Sequence, residues 1–247
     1  MNIKKHIPNA ITCGNLFCGC LAIVSTLNGN LIWGAYLVGI ATVLDFFDGF
    51  IARLLKVSGE IGKQLDSLAD MVSFGVVPGV MMYQMIKHSY QLHAYFNDEN
   101  EVFPFQYIGF IITIFSCIRL AKFNIDTRQN NSFIGVPTPA NTILICSLPL
   151  INEYQPTFLG FNTSPLILNF YFLIALTLIM SSLLIAEIPL FALKFKNFGW
   201  KENKIKYIFL IISIFMLVFF RFLSIPFLIL FYVGLSFINN RRTGREK

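Results

Sequence analysis

The run NLIWGAYLVGIATVLDFFDGFIARLL (residues 30–55) begins as an apolar stretch and carries two aspartates near its end. It exceeds the roughly 20 residues with which an α-helix crosses the hydrocarbon core of a bilayer. An aspartate at the centre of such a helix costs roughly 2.5–3.5 kcal/mol, so acidic residues there usually have a function. The run therefore predicts a transmembrane helix that carries chemistry near one end.

Similar apolar runs recur along the chain, which is 55% hydrophobic and only 13% charged. This composition is typical of membrane proteins and argues against a soluble fold. We predict an all-α, polytopic membrane helix bundle that forms one integral membrane domain over residues 1–247. The predicted helices cover residues 7–28, 30–55, 64–87, 103–127, 137–155, 166–190, 204–220 and 223–239.

Two connections in this bundle are predicted to be hairpins. The turn at Asn28, Gly29 and Asn30 is too short for anything but a direct reversal of the chain. The last apolar stretch, 205–238, could be one bent helix or two helices that turn near 221–226. Its length favours two helices, because a single helix would be far longer than the hydrocarbon core is thick.

The net charge of +6 could suggest a nucleic-acid partner, but the positions of the basic residues favour another explanation. With the helices placed as above, Lys87 and Arg221 are the only basic residues outside one common side. Acidic residues of 98–101 lie with those two. The positive-inside rule then places both termini in the cytoplasm, as expected for a bacterial inner-membrane protein, and predicts no nucleic-acid partner.

Acidic and small residues form a stripe on each of two successive predicted helices. The stripe on the second helix consists of Asp45, Asp48, Gly49 and Ala52. The stripe on the third helix consists of Gly62, Asp66 and Asp70. These spacings of three and four residues place each set on one helix face. Because the link at 56–63 reverses the chain, we expect four carboxylates to converge near the cytoplasmic surface, beside space for a ligand.

Four carboxylates in one pocket repel each other and require a cation. Oxygen donors without His or Cys favour Mg²⁺ or Mn²⁺, and two ions could bind a diphosphate. Ion pairs with nearby basic residues and helix capping are simpler alternatives. An ion-coupled transporter would place its site near the membrane midplane, which does not match the cytoplasmic stripes. A prenyltransferase is also conceivable, although its aspartate spacing differs.

The pattern Asp45-x-x-Asp48-Gly49-x-x-Ala52-Arg53, eight residues, Gly62-x-x-x-Asp66-x-x-x-Asp70 resembles the complete signature of the CDP-alcohol phosphatidyltransferase family. The resemblance implies a six-helix core, here with about two additional transmembrane helices, and usually a homodimer. It implies that Asp45, Asp48 and Asp66 ligate metal and that Asp70 completes the site and acts as general base. Gly49 and Ala52 are implied to line the cytidine pocket.

Four flanking blocks resemble the bacterial phosphatidylserine synthase branch of that family. They are IPNAITCGNLFCGCLAI (7–23), SCIRLAKFN (116–124), FIGVPTPA (133–140) and IPLFALKFK (188–196). This resemblance implies transfer of phosphatidyl from the membrane lipid CDP-diacylglycerol to L-serine, giving phosphatidylserine and CMP. Another polar alcohol, such as glycerol 3-phosphate or an inositol phosphate, is the alternative acceptor.

Further polar residues are candidates for binding the substrates. Those predicted to bind the nucleotide or lipid diphosphate, with Gly49 and Ala52, are Asn9, Thr12, Arg53 and Gly62. Arg119 and Lys122 are predicted to bind serine or a phosphate, with a bidentate role favoured for arginine. Interhelical hydrogen bonding by Asn9 and Thr12, and a positive-inside flank for Lys122, remain alternatives.

Overall fold

The computed structural model describes residues 6–57, 59–97, 104–126, 132–191 and 200–243, and nearly all regular structure in these ranges is helical. The α-helices are α1 (His6–Leu27), α2 (Leu31–Leu54), α3 (Glu60–Asp70), α4 (Val77–Asn97), α5 (Ile111–Ile125), α6 (Thr138–Tyr154), α7 (Ser164–Ile167), α8 (Phe170–Ile185), α9 (Trp200–Phe220) and α10 (Ser224–Thr243). Short strands are β1 (Ser132–Ile134), β2 (Thr157–Phe158), β3 (Phe161–Asn162) and β4 (Pro189–Phe191). The all-α prediction is confirmed.

Five helical segments among the described residues are long and apolar enough to cross a membrane. They are His6–Leu27, Leu31–Leu54, Glu60–His93, Phe105–Ile125 and Tyr207–Ser236. The apolar helix α8 is shorter. The prediction of a polytopic membrane helix bundle is therefore confirmed.

The first two helices form the predicted hairpin. Gly29 adopts a φ of +83°, a conformation that glycine accepts without steric cost. The Asn30 side chain then caps α2, because its Oδ1 accepts a hydrogen bond from the N–H of Trp33 at 3.3 Å. Inside the hairpin, Gly34 allows a close approach, since a Cβ at this position would clash with the Thr26 hydroxyl.

The third predicted helix, 64–87, is much longer in the structure. Helices α3 and α4 are joined without a break by a π-helical segment, Met71–Val76, which we call the π segment. The prediction that this helix ends at 87 is wrong, because 88–97 continue α4, while 98–101 lie outside the described residues. Tertiary contacts explain the extension: Ser89 donates a hydrogen bond to the carbonyl of Leu168, and the Tyr90 ring lies 5.2 Å from that of Phe170.

The predicted helix 166–190 is shorter in the structure. It is replaced by the single turn α7 and by α8, which ends at Ile185. Strand β4 follows and pairs antiparallel with β1, with Phe133 opposite Leu190. The N–H of Gly135 also donates to the carbonyl of Ile188 at 3.0 Å. These strand pairings supply hydrogen-bond partners for backbone N–H and C=O groups of residues that the sequence pattern had assigned to a helix.

The last apolar stretch forms two helices, as its length suggested. Residues Arg221–Leu223 form a 3₁₀ turn between α9 and α10. The Phe209 ring of α9 lies 6.1 Å from Phe231 and 5.6 Å from Tyr232 of α10, contacts that a straight helix would not allow. We call residues 200–243 the C-terminal hairpin.

The buried core lies among α1, α2, α4, α6 and α8. Its largest fully buried side chains include Met81, Ile86, Ile145, Leu173 and Met180. Helix α1 packs along α2 and also against α3 and the π segment. It thereby lies beside both stripes of aspartates.

Candidate active site

Three aspartates from two helices meet at one point. Helix α2 presents Asp45 and Asp48, and α3 presents Asp66. One carboxylate oxygen from each residue lies within 4.8 Å of the others. The predicted convergence of the two stripes is therefore seen for these three residues.

Asp70 lies next to this cluster, at the point where α3 continues into the π segment. Its carboxyl group is within hydrogen-bonding reach of Asp45. Its Oδ1 also accepts a long hydrogen bond, 3.5 Å, from the side-chain amide of Asn15. Asp70 is thus placed between the three clustered carboxylates and the interior of the bundle.

Helix α1 supplies a direct contact to the cluster. The Thr12 hydroxyl donates a 2.6 Å hydrogen bond to Oδ2 of Asp48, and both side chains are buried. A hydroxyl that donates to a carboxylate stabilises its charged form and fixes its orientation. Thr12 therefore holds Asp48 in place, whether or not it also contacts a substrate.

A cleft of about 1230 Å³ opens beside the three aspartates. It is lined by these predicted site residues: Asn9, Thr12, Asp45, Asp48, Gly49, Ala52, Arg53, Gly62 and Asp66. We call it the aspartate cleft. Lys56, Lys63 and Glu60 also line it, so cationic side chains lie near the acidic centre. Such a lining suits a ligand with several negative charges.

The two glycines of the signature differ in their surroundings. A Cβ at Gly62 would lie 3.0 Å from Oδ1 of Asn9, so this glycine permits α1 and α3 to approach closely. A Cβ at Gly49 would meet no atom within 4 Å. Gly49 therefore leaves open space in the cleft rather than allowing helices to pack.

Arg53 and Lys122 are exposed, whereas Arg119 is buried. The Nε of Arg53 donates a 2.9 Å hydrogen bond to the carbonyl of Gly49 at the edge of the cleft. Arg119 is only 7% exposed, and its guanidinium interacts electrostatically with Asp70. Among the residues that line the aspartate cleft, neither Arg119 nor Lys122 occurs. The structure thus places Arg119 near Asp70, whereas Lys122 is exposed and does not line the cleft.

The donor set fits a hard divalent cation. The three clustered side chains offer only carboxylate oxygens, the ligands that Mg²⁺ and Mn²⁺ prefer. A partly buried cluster of like charges is unfavourable without a counter-charge. Asp45, Asp48 and Asp66 could therefore hold a metal ion, with Asp70 beside it.

Sequence reasoning missed the π segment and the residues around it. Ser73, within this segment, donates a 3.1 Å hydrogen bond to the carbonyl of Asn15, and Thr142 donates a 2.9 Å bond to the carbonyl of Phe74. π-Helical turns are rare and occur frequently at functional sites. Polar residues such as Asn15 and Thr142 within apolar helices were the available signal. That both lie against the π segment depends on the tertiary fold.

Comparisons with known proteins agree with this geometry. The model of the CDP-alcohol phosphatidyltransferase family matches residues 5–180. The chain is 29% identical, over 87% of its length and 81% of the relative's, to a CDP-diacylglycerol–serine O-phosphatidyltransferase of Helicobacter pylori. It is 36% identical, over 64% of its length and 82% of the relative's, to the Bacillus subtilis protein of that name.

An archaeal relative extends the comparison. The archaetidylserine synthase of Methanothermobacter thermautotrophicus is 29% identical over 63% of this chain and 64% of its own length. The family match includes α1, α2 and α3, which carry the aspartate cleft and its signature. This chain therefore belongs to the CDP-alcohol phosphatidyltransferase family.

Proposed function

We propose that this chain transfers phosphatidyl from CDP-diacylglycerol to the hydroxyl of L-serine, producing phosphatidylserine and CMP. The proposal rests on the similarity of this chain, along 87% of its length, to a serine O-phosphatidyltransferase, together with the family match. The whole chain, 1–247, would act as one membrane domain.

The aspartate cleft suits the nucleotide half of the reaction. Its cationic rim can attract a diphosphate, and Gly49 and Ala52 leave room for a flat base beside α2. Asn9 and Thr12 offer hydrogen-bonding groups from α1, while Arg53 and Gly62 lie at its boundary. The neighbouring bilayer would supply the acyl chains of the substrate.

Asp45, Asp48, Asp66 and Asp70 would hold Mg²⁺ or Mn²⁺, and the need to bind a diphosphate favours two ions. When bound, such ions neutralise the diphosphate and stabilise negative charge on the departing CMP. Asp70 would accept the proton from the serine hydroxyl at a carboxylate oxygen as that hydroxyl attacks the phosphorus. Its position beside Asp45 and Arg119 supports this separate role.

The acceptor is tested with purified protein, labelled CDP-diacylglycerol and a panel of alcohols. We expect CMP and phosphatidylserine with serine, no turnover in excess chelator, and recovery with Mg²⁺ or Mn²⁺. An Asp48→Asn preparation gives the background. Product from glycerol 3-phosphate or an inositol phosphate, but not from serine, would contradict the substrate assignment.

Both termini and the aspartate cleft would face the cytoplasm, as the charge distribution indicates. Single cysteines introduced at Lys56 and Leu159 in a cysteine-free variant test this orientation. Both positions are exposed, and we place them on opposite sides of the membrane. An impermeant reagent applied to intact cells should label only the Leu159→Cys variant; labelling of only Lys56→Cys would reverse the topology.

The protein would act as a homodimer, as the family resemblance implies. Helix α2 exposes Phe46, Phe47 and Phe50, which offer an apolar face to lipid or to a second copy. The mass of the protein in detergent, measured by light scattering with correction for bound detergent, tests the assembly.

A further inference from the structure

The interior side of Asp70 contains a second group of polar side chains, separate from the aspartate cleft. These residues are Asn15 of α1, Ser116 and Arg119 of α5, and Thr138 and Asn141 of α6. We call them the buried polar cluster. Each is at most 7% exposed, and none of them lines the aspartate cleft.

Contacts with one short stretch of chain place these residues together. Asn15 contacts Asp70 and Ser73 through its amide and its carbonyl. Ser116 lies against Gly75, where an added Cβ would be 3.3 Å from that of Ser116. Thr138 and Asn141 share a helix face with Thr142, whose hydroxyl donates to the carbonyl of Phe74. Three helices therefore direct polar side chains towards residues 70–75.

The cluster has hydrogen-bonding atoms without partners within the described parts of the chain. They are Oδ1 of Asn15, Oγ of Ser116, Nε of Arg119, Oγ1 of Thr138, and Oδ1 and Nδ2 of Asn141. Buried polar atoms are normally hydrogen-bonded, and leaving them unpaired is unfavourable. A concentration of unpaired donors and acceptors beside a reactive carboxylate indicates a small polar ligand.

We infer that the buried polar cluster is the binding site for the acceptor amino acid, an inference that rests on the proposed serine transfer. Arg119 and the Thr138 hydroxyl, which lies at the N-terminal end of α6, suit the carboxylate of serine. The Oδ1 atoms of Asn15 and Asn141 are acceptors for its ammonium group. The serine hydroxyl would then point to Asp70, opposite the aspartate cleft.

This arrangement assigns the two substrates to opposite sides of Asp70. The nucleotide lipid enters the aspartate cleft, whereas the amino acid occupies the interior face of the π segment. The distinction gives residues of α6 a role in recognising serine that the sequence signature does not contain. It also predicts that changes there affect one substrate and not the other.

The test measures KM for serine and for CDP-diacylglycerol separately in Asn141→Leu and Thr138→Val. Each variant should raise the serine KM by about tenfold or more. The substitution removes a side-chain group that hydrogen-bonds serine and leaves the matching polar group of serine without a partner. The KM for CDP-diacylglycerol should stay within about twofold. Ser147→Ala is the control, since Ser147 is equally buried in α6 but donates to the carbonyl of Leu144.

Serine analogues test which chemical group of the ligand the buried polar cluster recognises. Serine analogues that keep both the carboxylate and the ammonium group should inhibit the wild type far more strongly than 3-hydroxypropanoate, which lacks the ammonium group. Asn141→Leu should reduce this discrimination by about tenfold, whereas Ser147→Ala should keep it. Thr138→Val keeps the shape of its side chain and decides the question if Asn141→Leu does not fold.

Three results would overturn the inference. An unchanged serine KM in both variants would mean that ordered water satisfies these atoms. An equal rise in both KM values, with a lower melting temperature, would assign the cluster to packing alone. If the wild type uses another alcohol but not serine, the proposed function itself fails and the serine site with it, which the wild-type measurement reveals before any variant is compared.

Discussion

The aspartate cleft and the C-terminal hairpin differ in how much of their apolar sequence is buried inside the protein. Hydropathy alone does not reveal this difference. In an apolar 18-residue stretch of the Glu60–His93 span, which also carries Asp66 and Asp70, 56% of the residues are buried inside the protein. The Tyr207–Ser236 span is the most apolar of the five, yet only 11% of the residues in its 18-residue apolar stretch are buried. In a bilayer, lipid tails accept apolar side chains, so the interior of the protein can hold the polar residues.

Apolar helices therefore have two different roles in this protein. The α1–α3 region packs polar groups inward and creates chemistry there. The hairpin presents Phe, Leu, Ile and Val side chains outward, and its described contacts to the bundle are mainly with α6 and β4. We therefore expect substitutions in the first region to affect turnover strongly and those in the hairpin to affect mainly stability.

The largest effect is expected for Asp48→Asn. It removes a carboxylate charge from the three-aspartate cluster while leaving an oxygen that can still accept from Thr12. Metal-dependent binding of CDP-diacylglycerol should be lost, and turnover should fall by more than about 10⁴-fold. Calorimetry with and without Mg²⁺, beside a CMP-release assay, measures both effects.

The matched control is Glu187→Gln, which also converts an acid to an amide. Glu187 is exposed in the link between α8 and β4 and does not line the aspartate cleft. Its activity should remain near that of the wild type. Equal losses in the two variants would show that net charge, rather than the cluster, determines activity.

A smaller loss, confined to the chemical step, is expected for Asp70→Asn. The amide keeps the size of the side chain but cannot accept the serine proton, so turnover should fall by about 10²–10⁴-fold. Affinity for CDP-diacylglycerol and metal should largely persist, because the other three aspartates are intact. Near-normal turnover, or a loss of nucleotide affinity as complete as in Asp48→Asn, would rule out the separate base role.

Two helical glycines, one in each region, have equally open surroundings. A Cβ at Gly49 or at Gly234 would meet no atom within 4 Å. Alanine should therefore be tolerated at both sites and favour each helix by up to about 1 kcal/mol. In Gly49→Ala, however, the added methyl occupies space in the aspartate cleft.

We expect Gly49→Ala to raise the KM for CDP-diacylglycerol by about tenfold, equivalent to about 1.4 kcal/mol. Gly234→Ala should leave both KM values unchanged. Steady-state kinetics and thermal unfolding of the two variants provide the measurement. A loss of activity in Gly234→Ala, or none in Gly49→Ala, would break the proposed division between the regions.

The sequence predicted those features that depend on local pattern. Apolar length located most helices to within a few residues, and the Asn28-Gly29-Asn30 turn followed from turn chemistry. The spacing of Asp45, Asp48 and Asp66 was sufficient to predict their convergence, because it requires only two helix faces and a reversal of the chain.

Features that depend on contacts between distant segments were not predictable in this way. Helix α4 continues past residue 87 because Ser89 and Tyr90 contact the region of α7 and α8. The pairing of β1 with β4, and the approach of Ser116 and Thr142 to the π segment, require the relative placement of segments far apart in sequence. Periodicity identifies the face of a helix but not the partner of that face.

The smallest effect is expected at Gln155, which joins the C-terminal hairpin to the bundle. Its Nε2 donates to the carbonyl of Phe220 at 3.1 Å, and its Oε1 accepts from the N–H of Leu223 at 3.1 Å. These bonds satisfy two backbone groups where the helix is interrupted. Gln155→Ala should destabilise the protein by about 1 kcal/mol and lower the melting temperature by about 2–4 °C.

Turnover of Gln155→Ala at a permissive temperature should equal that of the wild type, because the turn is separate from the aspartate cleft. Gln155→Glu serves as the matched variant: it can still accept from Leu223 but, when ionised, cannot donate to Phe220. Thermal unfolding in detergent and serine-dependent CMP release measure the two properties. A selective fall in turnover without a change in melting temperature would mean that the hairpin takes part in the reaction, since a purely structural contact should affect stability first.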